Sequence, residues 1–218
     1  MTAHSAPDRG DRGDRGDRNG GDKRERILAA AERIFARHGF FAARVSEIAK
    51  EAGVADGTIY LYFRSKDDLL TSIFERTMKD AIAEGRTSIA GIADPTERLR
   101  TIARLHLDRL GRDRALAVVF QVELRQSTKF MERFSATQLR EYLGIIRDVI
   151  ADGQERQIFR RDVNPTLAAK LFFGALDEMA TNWILSRRRY SLAAEADAIV
   201  DFMIGGLGAN ERPGGRGR

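Results

Sequence analysis

Between Asp56 and Lys66 the chain sets Gly57, Thr58, Tyr60 and Tyr62 among the apolar Ile59 and Phe63. Ile59 and Phe63 lie four apart, on one face of a short helix, so the glycine, threonine and tyrosines fall elsewhere on its surface. That polar surface suits a nucleic-acid duplex. Small residues near a helix start let backbone N–H groups approach a phosphate. Thr58 can hydrogen-bond a phosphate or set its methyl on thymine. The tyrosines offer hydroxyls to the sugar-phosphate edge and rings to base edges, and Lys66 adds a point charge. With Arg44, Ser46 and Asp56 from the flanking turns, the candidate DNA-binding set is Arg44, Ser46, Asp56, Gly57, Thr58, Tyr60, Tyr62 and Lys66.

A second group of residues points to a different chemistry. Leu116 to Arg125 is apolar on every side of a helix, which predicts burial. Gln121 and Glu123 interrupt it and need partners once enclosed, either on neighbouring helices or at a rim. The alternative is that they line a cavity near His106, Tyr142 and Trp183. A long apolar cavity with few polar groups at its mouth would suit a fatty chain.

Helices must position both groups. Ile27, Ala30, Ala31, Ile34 and Phe35 form one helical stripe that Gly39 can terminate. Ile48, Ala49 and Ala52 mark a short second helix, and Ala52–Val54 a tight turn in which Gly53 can take a positive φ. Ser65 is expected to cap a long fourth helix, with Asp68 three residues on. Asp94-Pro95 and Asn164-Pro165 each restart a helix. Further stripes are Leu99, Ile102, Ala103, His106 and Leu110; then Leu139, Tyr142, Leu143, Ile146, Val149 and Ile150, with Gly153 as the expected end. Leu171, Ala175, Met179 and Trp183 form the next, and Ala196, Ile199, Val200, Met203, Ile204 and Leu207 the last. Strands are not indicated.

The fold class is therefore all-α: an N-terminal three-helix helix-turn-helix DNA-binding domain and a larger C-terminal helical ligand-binding and dimerisation domain. Residues 1–21 are expected to be a disordered tail, since Asp8 to Arg18 repeats Asp-Arg-Gly with balanced charge and no apolar side chain. The DNA-binding domain spans 22–68, the ligand-binding and dimerisation domain 69–207, and 208–218 a flexible tail. The 218 residues suffice for one large or two modest domains. Zero cysteines exclude a disulfide framework and thiolate sites, and three scattered histidines argue against a metal. No secretory signal or bilayer-length apolar run is visible, so a cytoplasmic location without membrane association is expected. The formal charge is +5. From Lys23 to Lys66 nine lysines and arginines face five acids, so most of that excess sits on the DNA-reading segment.

Ile48 to Leu70, IAKEAGVADGTIYLYFRSKDDLL, closely resembles the helix-turn-helix signature of the TetR family of bacterial transcriptional regulators. The resemblance covers about Lys23 to Phe74. It implies that Gly57, Thr58, Tyr60, Tyr62 and Lys66 occupy DNA-contacting positions. Two departures matter. Arg44 stands where a threonine commonly caps the second helix, although Glu47 keeps the capping-box place. Ala55-Asp56 replaces a Ser-Lys pair, which removes one phosphate contact and leaves Asp56 to cap the recognition helix or accept from cytosine N4.

VVFQVELRQS (Val118–Ser127) and LFFGALDEMATNWIL (Leu171–Leu185) extend the likeness to the FadR-type branch, regulators of fatty-acid degradation. In that branch a long-chain acyl-CoA enters the C-terminal domain and releases DNA. The resemblance then implies an effector but no cofactor. Leu105, Leu110, Val119, Phe120, Leu124, Phe130, Leu143, Phe173 and Leu176 would supply an apolar tunnel, with His106, Glu123, Tyr142 and Trp183 at its polar margin. Arg109, Arg125 and Arg187 would meet the phosphates. The last two helices would pair two chains as a symmetric homodimer on a palindromic duplex operator. A second reading is a related regulator answering an aromatic or cationic small molecule through Trp183, Tyr142 and Glu123. An enzyme acting on acyl thioesters is the weakest reading, because no catalytic constellation accompanies Glu123 or Glu178.

Overall fold

A computed structural model describes residues 13–126, 132, 137–188 and 190–207, with side chains from residue 20 onward. Phe130 and the stretch 208–218 lie outside the described residues. Helices and turns, with no β-strand among the described residues, make the chain all-α. The helices are α1 (Gly13–His38), α2 (Val45–Ala52), α3 (Asp56–Tyr62), α4 (Lys66–Ile89), α5 (Pro95–Arg112), α6 (Arg114–Val118), α7 (Gln138–Glu155), α8 (Pro165–Leu185) and α9 (Ala196–Leu207). A π-helical turn, Val119–Glu123, follows α6, and a 3-10 turn at Leu192–Glu195 precedes α9. No helix among the described residues is long and apolar enough to cross a membrane.

The chain divides into two compact units, Met1–Ile73 and Phe74–Arg218. Leu69, Leu70 and Ile73, all fully buried, fall in the first, so that unit reaches past residue 68 into α4. Helix α1 starts at Gly13, inside the repeat expected to be a loose tail. Once a helix is nucleated by the buried stripe further on, each added residue gains a backbone bond, and propagation is far easier than nucleation.

In the first unit Ile27, Ala30, Ala31, Ile34 and Phe35 are buried as one stripe, and Gly39 ends the helix at φ 76°. The α2–α3 turn is set by Gly53 at φ 66°, ψ 40°, with the Val54 N–H donating to the Ala49 carbonyl at 3.0 Å. Only glycine adopts that left-handed conformation without steric cost. Glu47 accepts from the Arg44 N–H at 3.1 Å, but an arginine side chain has no acceptor, so only this half of the capping box forms. Ser65 accepts from the Asp68 N–H at 3.1 Å, and Asp68 accepts from the Arg64 N–H at 2.9 Å.

In the second unit α5 packs against α7, α8, α9 and the 3-10 turn, and α7 lies along α8. Asp94 caps α5 through the Thr96 N–H (3.0 Å), and Asn164 caps α8 through Thr166 (2.8 Å) and Leu167 (3.2 Å). Two expectations are corrected. The buried stripe of α8 is Ala169, Phe172, Leu176, Ala180 and Ile184, one residue along from Leu171, Ala175, Met179 and Trp183. Gly153 does not end α7, which runs on to Glu155; the left-handed residue is Gln157, at φ 62°. Gly153 instead admits Phe159: a Cβ there would stand 2.2 Å from the ring.

Candidate DNA-reading face and ligand cavity

The short α3 owes its orientation to Ile59 and Phe63, both almost wholly buried, with the Arg24 guanidinium 5.2 Å from the Phe63 ring centroid. The rest of α3 is turned outward as expected. Tyr60 is 59% exposed, Asp56 and Gly57 are exposed, and Thr58 and Tyr62 are half-buried. Arg44 and Ser46 are exposed near the start of α2. Asp56 does not cap α3, because it is the helix's first residue and Ala55 holds the cap position. Its carboxylate still lies in the first turn, where the helix dipole favours a negative charge.

Lys66 does more than carry charge. Its Nζ donates to the carbonyls of Phe41 (2.9 Å) and Ala43 (3.0 Å) and lies 4.8 Å from the Phe40 ring centroid. It thus ties the start of α4 to the loop that launches α2, leaving one of three ammonium protons for a phosphate. Sequence reasoning passed over Leu61, which is 81% exposed on α3, and Phe41, exposed in the same unit. Their exposure on a reading domain was readable from Leu61's offset from Ile59 and Phe63.

The second unit encloses a cavity of about 250 Å3 between α4, α5, the segment after α6, α7 and α8. Of the residues expected to form it, Leu105, His106, Arg109, Leu110, Phe120, Leu124, Arg125, Tyr142 and Phe173 line it. Val119, Glu123, Leu143, Leu176, Trp183 and Arg187 do not. Val119 and Leu176 are fully buried in the surrounding core, and Leu143 is half-buried on α7. Glu123 accepts from Gln126 Nε2 at 3.3 Å. Trp183 donates from Nε1 to the Tyr190 carbonyl at 3.0 Å and carries the Arg114 guanidinium 5.2 Å from its ring centroid. Arg187 is exposed beyond the end of α8.

Helix α4 supplies a wall that the sequence analysis missed: Phe74, Thr77, Met78, Ala81, Glu84 and Gly85. Phe74, Thr77, Met78, Ala81 and Gly85 follow helical spacing, and the two small residues leave room beside the large ones. Phe74 stacks on Phe120 with centroids 4.7 Å apart. Ile102, Gln121, Leu139, Ile145, Ile146 and Asp177 complete the lining.

The polar groups are few and matched. Arg109 pairs with Glu84 and Arg125 with Asp177; Gln121 donates to the other Asp177 oxygen at 2.8 Å and accepts from Thr181 Oγ1 at 3.0 Å. His106 Nδ1 stands 3.2 Å from the Tyr142 hydroxyl, and both rings meet Phe173 edge-on. Burial raises the Tyr142 phenol above its ordinary value, so it stays protonated and donates. Burial also pushes the His106 imidazole down to about 4, aided by Arg109 and opposed by Asp177. With Nδ1 accepting from Tyr142, the ring proton sits on Nε2, which is enclosed and meets no partner among the described residues. The cavity thus combines an apolar wall, no net charge and one unspent hydrogen-bond donor. No group of three or more potential metal-ligating histidines and acids occurs among the described residues.

Comparison with known proteins accounts for both units. Residues 27–73 match the family model described as bacterial regulatory proteins of the tetR family, and residues 74–206 match that of the YsiA-like protein C-terminal region. The fatty acid metabolism regulator protein of Bacillus subtilis is 34% identical over 84% of this chain and 94% of its own length. Among solved structures, the transcriptional regulator FadR from Bacillus subtilis in complex with stearoyl-CoA is similar at a TM-score of 0.80, with 34% identity, over 84% of this chain and 98% of its own. The fatty acid degradation regulator FadR from Bacillus halodurans is similar at 0.79, with 37% identity over the same shares. The chain belongs to the TetR family and is a helix-turn-helix transcriptional regulator of the FadR-like kind.

Proposed function

We propose that this protein is a dimeric repressor that binds a palindromic DNA operator and leaves it when a long-chain acyl-CoA fills the cavity of the second unit. The observation that carries the reading is the charge-balanced apolar cavity. Each methylene buried there is worth about 0.8 kcal/mol, while His106 Nε2 has a proton for a neutral acceptor such as a thioester carbonyl. The stearoyl-CoA complex of the Bacillus subtilis relative supports the same ligand class. The regulated genes are those of fatty-acid degradation, and the protein works in the cytoplasm, without a cofactor and not as an enzyme.

Arg44, Ser46, Gly57, Thr58, Tyr60 and Tyr62 make the DNA contacts, with Lys66 contributing its remaining proton and Asp56 its carboxylate. The dimer forms through the last two helices, α8 and α9, where Leu167, Leu171 and Leu185 are exposed and Phe202 is 83% exposed. Two-fold pairing would set the recognition helices about one DNA turn apart or somewhat more. The effector acts by preferring the chain conformation in which that spacing is wrong. A cationic or aromatic effector has less support. Glu123 and Trp183 lie outside the cavity, and the acids inside it, Glu84 and Asp177, are each paired with an arginine.

The test is a mobility shift on an operator selected from random duplex DNA with the full chain. Palmitoyl-CoA or oleoyl-CoA should release the DNA, and Tyr60→Ala should weaken the complex. Indifference to every acyl-CoA would reject the ligand.

A further inference from the structure

The proposed ligand has an apolar chain and a phosphate-bearing end, and these ends make opposite demands. Phosphates need cations with spare hydrogen-bonding capacity. The cavity does not offer them: Arg109 is committed to Glu84 and Arg125 to Asp177. A second hollow adjoins it. This cleft, of about 550 Å3, lies between α4, the start of α5 and α7, and shares Ile145 with the cavity as a common wall.

The two hollows follow one another along the same helices. Gly85 lines the cavity and Arg86 the cleft; Leu139 lines the cavity and Arg140 the cleft. Gly144 adjoins Ile145, and a Cβ there would meet nothing within 4 Å, so the wall is open at that point. The cleft is lined by Arg86, Arg98, Arg140 and Arg147 against two carboxylates, Glu141 and Asp148. Arg140 is exposed and pairs with no carboxylate among the described residues. Arg86 reaches Glu141 at 3.0 Å and Arg147 its neighbour Asp148 at 2.7 Å; both guanidiniums are more than half exposed, so an incoming phosphate can compete for them. Arg98 is held by Asp152 at 3.1 Å and by the Ile92 carbonyl, and adds field rather than contact.

We propose that this arginine cleft holds the phosphate-bearing end of the ligand whose acyl chain fills the cavity, with Arg140 and Arg86 as its main phosphate contacts. The assignment rests on the acyl-CoA reading above and moves the phosphate role away from Arg109, Arg125 and Arg187. A chain rising past Ile145 spans both hollows, so apolar and anionic recognition are divided between two adjoining compartments.

Calorimetric titration of the full chain with stearoyl-CoA and with S-stearoyl-pantetheine, the same thioester without phosphates, separates the claims. Wild type should bind stearoyl-CoA more tightly. Arg140→Gln should weaken stearoyl-CoA about tenfold, and Arg86→Gln with Arg140→Gln further, as loss of charge-assisted bonds predicts; S-stearoyl-pantetheine should bind all three proteins alike. Equal wild-type affinity for the two probes, an unchanged stearoyl-CoA affinity in the variants, or equal weakening of both probes would each overturn the cleft while leaving the acyl cavity standing. If wild type binds neither probe, the acyl-CoA reading falls and the cleft assignment with it.

Discussion

His106 should make the second unit acid-sensitive in a way that can be isolated. In the fold its imidazole titrates at about 4, whereas an unfolded chain protonates near the ordinary 6.5. The unfolded state therefore binds more protons between these values. For a base depressed in this way, the stability is fully present above about pH 6.5, is lost as the pH falls, and stops falling below about 4. Moving from pH 7 to pH 5 should cost about 2 kcal/mol from this residue. The charged groups facing it are Asp177, which works against the shift, and Arg109, which reinforces it; Tyr142 contributes a neutral hydroxyl. His106→Gln keeps a hydrogen-bond partner for Tyr142 but does not titrate. Trp183 is the single tryptophan of the chain and lies in the same unit, so its fluorescence during urea unfolding reports on the right structure. At fixed protein concentration and without ligand, wild type should lose about 2 kcal/mol more than His106→Gln between pH 7 and pH 5. Equal losses would refute the enclosed, neutral imidazole.

Two stability predictions accompany it. Gly153→Ala drives a methyl to 2.2 Å from the Phe159 ring, which is itself fully buried, and should cost about 1–3 kcal/mol by the same tryptophan signal; adding Phe159→Leu should recover part of that loss. Lys66→Met keeps the aliphatic stem but removes two bonds to the Phe41 and Ala43 carbonyls. It should lower the stability of the first unit by about 1–3 kcal/mol, measured by hydrogen exchange of α1–α3 amides, where a mere phosphate-binding lysine would leave exchange in the free protein unchanged.

Local geometry was legible wherever one residue decides it. Gly53 had to turn, Asp94 and Asn164 had to cap, and Ile59 and Phe63 had to face inward, which left Tyr60 outside. Helical spacing found these because the partners lie within a turn or two. It failed on α8, where Leu171 and Phe172 are equally apolar and only the packing of α5 and α7 chooses between them. Gly153 was misread for a related reason: a glycine admits a ring as readily as it admits a turn, and Phe159 is what claims the space. The cavity was half legible. His106, Phe120, Tyr142 and Phe173 stood out as large or polar residues in apolar surroundings, but the α4 wall depends on Ala81 and Gly85, which attract no notice in a sequence. Pairing was not legible at all. That Arg109 would be spent on Glu84 and Arg125 on Asp177 follows from how α5, α4 and α8 meet, and it reverses what those arginines can do.

A hollow whose acids and bases cancel offers dissolved ions little to screen, whereas the partly exposed guanidiniums nearby remain open to them. An acyl guest would therefore meet two thermodynamic regimes in one molecule. Its hydrocarbon part would respond chiefly to temperature, through a negative heat-capacity change, and its anionic part chiefly to ionic strength. A regulator built this way can keep measuring chain length in a cell whose salt content fluctuates, because the grip that counts methylenes is indifferent to salt.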